Sequence, residues 1–378
     1  MASRSVPPPS PAGGRHRLRA LVRWLGVQCA IIAVMLAGFE LYLRRTQAYV
    51  VDPRAASWNL GGLALGRGQL VAETPLGRRL VPAHVVIRNH WLSHLDVHVD
   101  INSLGFRGPE LAAQKAPGEY RILVLGDSIT IGDYLPEEAV YVRRMEAHLR
   151  DRLPGRRIVV VNGGVGGFNL AEELDLLEDR GLALSPDMVL VGFYLNDSRP
   201  RWGFPGEDGR GWLRRHSVFV DLVYRTLLIQ QWMKTKGEGK FNWVRAQKTL
   251  DWANDPGAFH QLRDMAVYDW GAAWDPTSWR AIDLGLARLK AHSERSHFSV
   301  AIAALPVSFQ VYARFLDDAP QREMEARTRA VGFRYLDLLP VLRQHRGEDL
   351  FFDHCHPREG ANDLVGKALA DFLQATVP

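Results

Sequence analysis

The sequence predicts an α/β protein: a parallel sheet with helices on both faces. Two observations predict it. From Tyr120 onward, short continuously apolar runs alternate with segments of helical periodicity. The first three apolar runs each end in a short stretch of Gly, Asp, Asn or Ser, the residues that turn a chain. At 378 residues, the chain is long enough to bury a large core.

Residues 1–14 are rich in Ser, Pro and Gly and read as disordered. Together with the arginines at 15, 17, 19 and 23 they form a basic tail, 1–23. Trp24 to Phe39 contains no charge, and Glu40-Leu41-Tyr42-Leu43 extends the run to residues 24–43, a length that spans a bilayer. Glu40 falls near the far interface beside Tyr42, where a charge costs less than at the bilayer centre. A cleavable signal peptide is the rival reading, but its small-x-small cleavage site is missing: Ala37-Gly38-Phe39 fits poorly. Five arginines precede the span, against Arg44, Arg45 and Arg54 after it. That bias points to a single-pass anchor in the inner (cytoplasmic) membrane, with the rest of the chain periplasmic or otherwise extracytoplasmic.

Residues 44–118 read as an N-terminal extension, irregular with some strand. His94-Leu95-Asp96-Val97-His98-Val99-Asp100 alternates strictly, as a strand with one polar face does. His94, Asp96, His98 and Asp100 are all metal-ligating types, yet alternation alone produces such a face, so it reads as a solvated one. The pattern then becomes regular. Arg121 to Leu125 is a buried strand. Leu135-Pro136-Glu137-Glu138 opens a helix to about Arg152, with proline and acids in its first turn. Arg157 to Val161 is a second strand. Asn169-Leu170-Ala171-Glu172 has the form of a capping box and opens a helix to about Arg180. Asp187 to Tyr194 and Phe298 to Leu305 are the third and fourth strands, Arg334 to Leu338 a short fifth, and Gly360 to Gln374 a closing amphipathic helix.

Residues 198–280 interrupt the alternation and hold eight of the eleven tryptophans: 202, 212, 232, 243, 252, 270, 274 and 279. They read as an inserted helical cap. Within it, Ser217 to Met233 is apolar enough for a helix facing the core or a membrane surface. The tryptophans either pack these helices or wall a site for a glycan or acyl group.

The net charge of +5 is a property of the N-terminus. Residues 1–54 carry +6 and the remainder −1, so nothing calls for a nucleic-acid partner. With only Cys29 and Cys355, a Cys-rich zinc site is excluded and a disulfide between them is not expected.

The chemistry lies at strand ends. Gly126-Asp127-Ser128 follows the first strand, Asn162 to Asn169 the second, and Leu195-Asn196-Asp197 the third; Asp353-His354-Cys355-His356-Pro357 stands near the C-terminus. Loops after successive parallel strands converge on one edge of the sheet, so these residues can meet. A serine hydroxyl becomes a nucleophile when a base takes its proton, and His356 can do so near neutral pH. Asp353 can hold the other imidazole nitrogen from three residues away. His354 is a rival base, disfavoured because it directly follows Asp353. The backbone N–H groups of Ser128 and Gly167 and the Asn196 amide are candidate oxyanion donors, with Gly164 and Gly166 as rivals to Gly167.

These four pieces, in this order, resemble the SGNH (GDSL-type) hydrolase family. The resemblance covers roughly residues 120–197 and 298–375. It implies a three-layer α/β/α sandwich on a five-strand parallel sheet, flavodoxin-like in type, within a domain 119–378. It implies Ser128 as nucleophile and first oxyanion donor, and Gly167 and Asn196 as further donors. It implies Asp353 and His356 as the Asp-x-x-His pair, and metal-independent chemistry without a cofactor. The segment reads Gly-Asp-Ser-Ile where the family's usual form is Gly-Asp-Ser-Leu. The function so expected is an esterase, acting through an acyl-Ser128 intermediate on an acyl ester, acetyl being one candidate, of a glycan or lipid. An O-acyltransferase using the same residues and a non-catalytic envelope scaffold are the alternatives.

Overall fold

The computed structural model describes residues 12–46, 71–74, 77–199, 212–220, 222–224, 227 and 242–377. Five strands form one parallel sheet in the order β6-β5-β7-β8-β9: β5 (Glu119–Gly126), β6 (Arg157–Gly164), β7 (Met188–Tyr194), β8 (Ser299–Leu305) and β9 (Arg334–Asp337). The first two strands of this sheet, β5 and β6, thus sit in reverse order, and the sheet then grows only past β7. The switch point lies between β5 and β7, at their carboxyl ends, where open α/β sheets place their sites. All seven residues of β7 are buried, as expected for a central strand covered on both faces. Each fully buried Val, Leu or Ile there contributes about 1.5–3 kcal/mol.

The sequence places the five sheet strands correctly but sets some ends short. β6 runs on through Asn162-Gly163-Gly164 because these pair with Val124, Leu125 and Gly126 of β5. Ladder hydrogen bonds from a neighbour override the turn preference of glycine.

Helices connect the strands. α1 (Ala12–Thr46) is the N-terminal helix, longer than the apolar run alone, and Arg19–Arg45 within it is long and apolar enough to cross a membrane. α2 (Ser128–Ile131) is a single turn after β5, and α3 (Tyr141–Arg152) leads to β6. A 3-10 turn at Glu137–Ala139 precedes α3, so the acids near Pro136 lie ahead of the helix and not in its first turn. α4 (Leu170–Leu176) carries the capping box foreseen: Asn169 accepts the Glu172 N–H at 3.1 Å and Glu172 accepts the Asn169 N–H at 3.2 Å. It then loosens into a π-helical turn, Leu177–Gly181. α5 (Pro256–Met265) lies in the insertion, α6 (Trp279–Ser296) and α7 (Ala319–Ala330) flank β8, and α8 (Glu359–Leu373) closes the chain. α3 packs with α8, and α4 packs with α6, which also touches α7, giving one helical layer on each face of the sheet.

Before the sheet stand two antiparallel pairs, β1 (Val71–Thr74) with β2 (Gly77–Leu80), and β3 (Ala83–Ile87) with β4 (Val97–Ile101). The alternating segment is a strand only from Val97; His94 and Asp96 lie in the preceding loop. This removes the four-ligand face, and His98 and Asp100 remain as its exposed residues. Arg107 pairs in antiparallel sense with both Ile101 and Asn162, so the extension meets the β6 edge at Asn162.

The end of α1 docks on the insertion. Glu40 accepts hydrogen bonds from the Val218 N–H (2.9 Å), the Phe219 N–H (2.8 Å) and the Ser217 hydroxyl (3.0 Å). Arg44 ties Glu40 to the His216 carbonyl, and Phe39 meets Phe219 edge-on at 5.6 Å. Of the eight insertion tryptophans, 202 and 232 lie outside the described residues, as does most of the stretch from 217 to 233. Trp243, Trp270 and Trp279 are buried, Trp252 and Trp274 half-buried, and Trp212 exposed. Trp243 meets Trp270 and Phe309 edge to face, Trp252 meets Phe309 edge to face, and Trp270 lies tilted on Phe309, so these rings pack against one another.

Candidate active site

β5 delivers Ser128 to the carboxyl edge of the sheet. Asp127 caps α2 by accepting the Ile129 N–H at 2.9 Å, which makes Ser128 the first helical residue. α2 is too short to hold itself, so its neighbours hold it. The Thr130 hydroxyl bonds Tyr141 at 2.7 Å, and the Asn162 amide donates to the Thr130 carbonyl at 2.8 Å. The Arg107 guanidinium, 1% exposed, donates to the carbonyls of Ile131 and Leu135 at 2.5 and 2.8 Å. A Cβ on Gly164 would come within 2.2 Å of the Ile131 nitrogen, so only glycine lets β6 pass so close under α2.

The closing loop brings the base. Phe351 bridges Pro357, and the Phe352 N–H donates to the His356 carbonyl, closing a tight loop over 351–357. Within it, Asp353 Oδ1 accepts the N–H groups of Cys355 and His356, both at 2.8 Å. Asp353 Oδ2 stands 2.8 Å from His356 Nδ1, and His356 Nε2 stands 2.9 Å from Ser128 Oγ. A carboxylate on Nδ1 fixes the proton there and leaves Nε2 to accept from the serine hydroxyl. Burial pushes the Asp353 carboxyl up, but the charges of His354 and His356 and the three hydrogen bonds outweigh it. The result lies far below the usual carboxylate range, so Asp353 stays charged at any working pH. Ser128 and His356 are both buried.

His354 points elsewhere. Its ring packs on Trp243 at 4.7 Å and stands 3.8 Å from both Asp353 and Asp269. Tyr134 backs His356, ring edge to face at 5.0 Å, and Cys355 Sγ lies 3.4 Å from His356 Nδ1.

The candidate donors sit on the loops after the two strands that flank β5. Gly167 has a φ of +75°, a left-handed turn that favours glycine, and its carbonyl accepts from Arg199. The Gly164 N–H is committed to Asn162 Oδ1 at 3.0 Å, which removes that rival. Asn196 is buried in the 3-10 turn Leu195–Ser198, which Asp197 fixes by accepting the Tyr194 N–H at 2.9 Å. Behind this turn Glu173 is fully buried, and neither of its carboxyl oxygens has a hydrogen-bond partner among the described residues. Burial, aided by the neighbouring Asp197 and Asp127 carboxyls, pushes Glu173 well above the usual carboxylate range, and burial pushes Asp197 up likewise.

Asp353, His354 and Cys355 form the one group of potential metal ligands among the described residues, with their donor atoms within 4.8 Å of one another. A cation there would compete with His356 for the same carboxylate.

Sequence reasoning names the Ser128, Asp353 and His356 set but misses its supports. Asn162 is readable only as a turn residue, yet its side chain ties α2 to the β6 end. Arg107 lies outside the stretches covered by the family resemblance, and no local signal marks an arginine that will be buried.

No protein-family model and no curated protein matches the chain. Solved structures similar to it include an α/β hydrolase from the metagenome of Lake Arreo, Spain, at 16% identity and TM-score 0.41, covering 68% of this chain and 94% of the other. An acetylxylan esterase from Geobacillus stearothermophilus is similar at 15% identity and TM-score 0.38, over 67% and 94%. A lipolytic protein of the G-D-S-L family from Desulfitobacterium hafniense is similar at 13% and 0.36, over 67% and 99%. At these values the likeness carries no weight for the chemistry, which rests on the distances above.

Proposed function

We propose that the chain is an SGNH (GDSL-type) serine esterase that removes an acyl group, acetyl being the first candidate, from a glycan or lipid. One observation carries this reading: the unbroken relay from Ser128 Oγ to His356 Nε2 and from His356 Nδ1 to Asp353 Oδ2, at 2.9 and 2.8 Å.

The steps follow from the geometry. Ser128 Oγ attacks the ester carbonyl carbon as its proton passes to His356 Nε2. Asp353 stabilises the imidazolium so formed. The new oxyanion is held by the N–H groups of Ser128 and Gly167 and by the Asn196 amide. Collapse breaks the C–O bond, His356 gives its proton to the leaving alcohol, and the acyl group stays on Ser128. A water then repeats the sequence, with His356 as base, and releases the acid. In this reading, residues 24–43 anchor the domain 119–378 outside the cytoplasm.

The test is hydrolysis of p-nitrophenyl acetate by the full chain in detergent, with Ser128→Ala beside it. A rate at least about a thousandfold lower in the variant supports the reading. Equal rates overturn it.

A further inference from the structure

The β3–β4 loop, residues 88–96, leads from His356 out to solvent. Three ring contacts make the path: His356 to Tyr134 at 5.0 Å, Tyr134 to His90 at 6.5 Å, and His90 to Trp91 at 5.9 Å. Burial changes along it. Tyr134 is 1% exposed, His90 5%, and Trp91 71%.

The loop is fixed, and it is fixed under strain. Asn89 and His94 have φ of +43° and +59°, two of the four positive-φ residues other than glycine among the described residues. Asp96 accepts from the Asn89 N–H and from Arg88, both at 2.7 Å. The His90 N–H donates to the Leu95 carbonyl, and the His94 N–H to that of His90. The Leu92 N–H donates to His90 Nδ1 at 3.2 Å, which leaves the imidazole proton on Nε2. Burial lowers the His90 pKa against the pull of Asp133, with His356 adding to the lowering, so His90 is neutral at working pH. The strained, cross-braced loop thus holds a buried neutral donor and sets a large indole in water.

We propose that Trp91, three ring contacts out from the catalytic imidazole, is a stacking platform for a sugar ring of the substrate. This rests on the esterase reading of Ser128. A pyranose has an apolar face of C–H groups and a rim of hydroxyls, which suits a flat exposed indole with polar groups around it. Arg88 and Asp96, exposed and ion-paired on the same loop, are polar groups of that kind. An acyl chain would instead need a closed apolar slot. Among the described insertion tryptophans, Trp243, Trp270 and Trp279 are buried, Trp243 against His354 and Trp279 against Phe193.

The experiment measures binding, not turnover. Full-length Ser128→Ala in detergent is titrated calorimetrically with acetylated xylo-, manno- and N-acetylglucosamine oligosaccharides, and with a dodecanoyl ester. Trp91→Ala and Trp91→Phe are made in the same background, and circular dichroism checks their fold. Trp212→Ala, another exposed tryptophan, is the control. The expected result is that at least one oligosaccharide binds, that Trp91→Ala weakens it about five- to tenfold, and that Trp91→Phe keeps most of the affinity. Unchanged affinity in folded Trp91→Ala overturns the proposal. So does the absence of binding by every oligosaccharide, or a Trp91 dependence confined to the dodecanoyl ester. Fluorophosphonate labelling of the parent protein reports separately on Ser128, so a failed esterase reading is distinguishable from a failed sugar platform.

Discussion

The proposed reaction rests on three residues, and their substitutions should differ in kind. Ser128→Ala removes the nucleophile, and His356→Ala removes the base 2.9 Å away; each is expected to lower kcat by about a thousandfold or more. Asp353→Asn keeps the size but can present a donor to His356 Nδ1, turning the imidazole to the wrong tautomer, so a loss of similar order is expected at unchanged KM. Away from the site, Asp337 on β9 gives a pH signature. Burial, with Asp318 and Glu325 nearby, raises its pKa to about 6. The unfolded value is near ~3.9, so between these limits the folded chain holds a proton that the unfolded chain has lost. Stability therefore falls as pH rises through that window. Asp337→Asn should be more stable than the parent at pH 8, by up to about 3 kcal/mol, and equal to it below about pH 4. Chemical denaturation at both pH values measures this. A gap that widens toward low pH would contradict it.

At the scale of elements, the nucleophile is only as well placed as α2, a single turn clamped by β6 and by Arg107. Gly164→Ala puts a methyl 2.2 Å from the Ile131 nitrogen. Backbone must then move, and a loss of roughly 1–3 kcal/mol with a large fall in kcat is expected. Arg107→Ala leaves two buried carbonyls without their donor, each a cost of about 1–3 kcal/mol. Its Tm and kcat should fall together, whereas a lowered Tm with full activity would show that α2 keeps its place without the extension. These clamps were beyond the sequence for a physical reason. The apolar runs of β5, β7 and β8 announce themselves because burial selects their residues one by one. The Asn162-Gly163-Gly164 end of β6 does not, since its strand state comes from its partner, Val124 to Gly126. The Asp353-x-x-His356 pair was legible because both residues lie on one loop. The choice of His356 over His354 needed only that adjacent residues cannot share such a bond. Arg107 acts from a turn-rich connector through contacts 24 and 28 residues away, which no local pattern encodes.

For the molecule as a whole, the N-terminal helix α1 and the insertion are coupled. Glu40 near the end of α1 accepts two backbone N–H groups at the start of the helical stretch after Ser217, as a capping side chain does. Glu40→Ala should raise hydrogen exchange at the Val218 and Phe219 amides in the full chain, because their acceptor is gone. Unchanged protection would mean that the contact does not order this stretch. The parallel sheet and its helical layers followed from the alternation of runs; the docking of α1 on the insertion did not, because it depends on one carboxylate meeting a helix start 178 residues away.

The most direct test is covalent. The full chain is treated with a fluorophosphonate, and with p-nitrophenyl acetate followed by acid quench, and each product is weighed intact and mapped by peptide mass. The expected result is one adduct per chain, on the peptide holding Gly126-Asp127-Ser128, absent in Ser128→Ala and strongly reduced in His356→Ala. An adduct on another residue, or equal labelling of Ser128→Ala, would contradict an acyl-transferring Ser128.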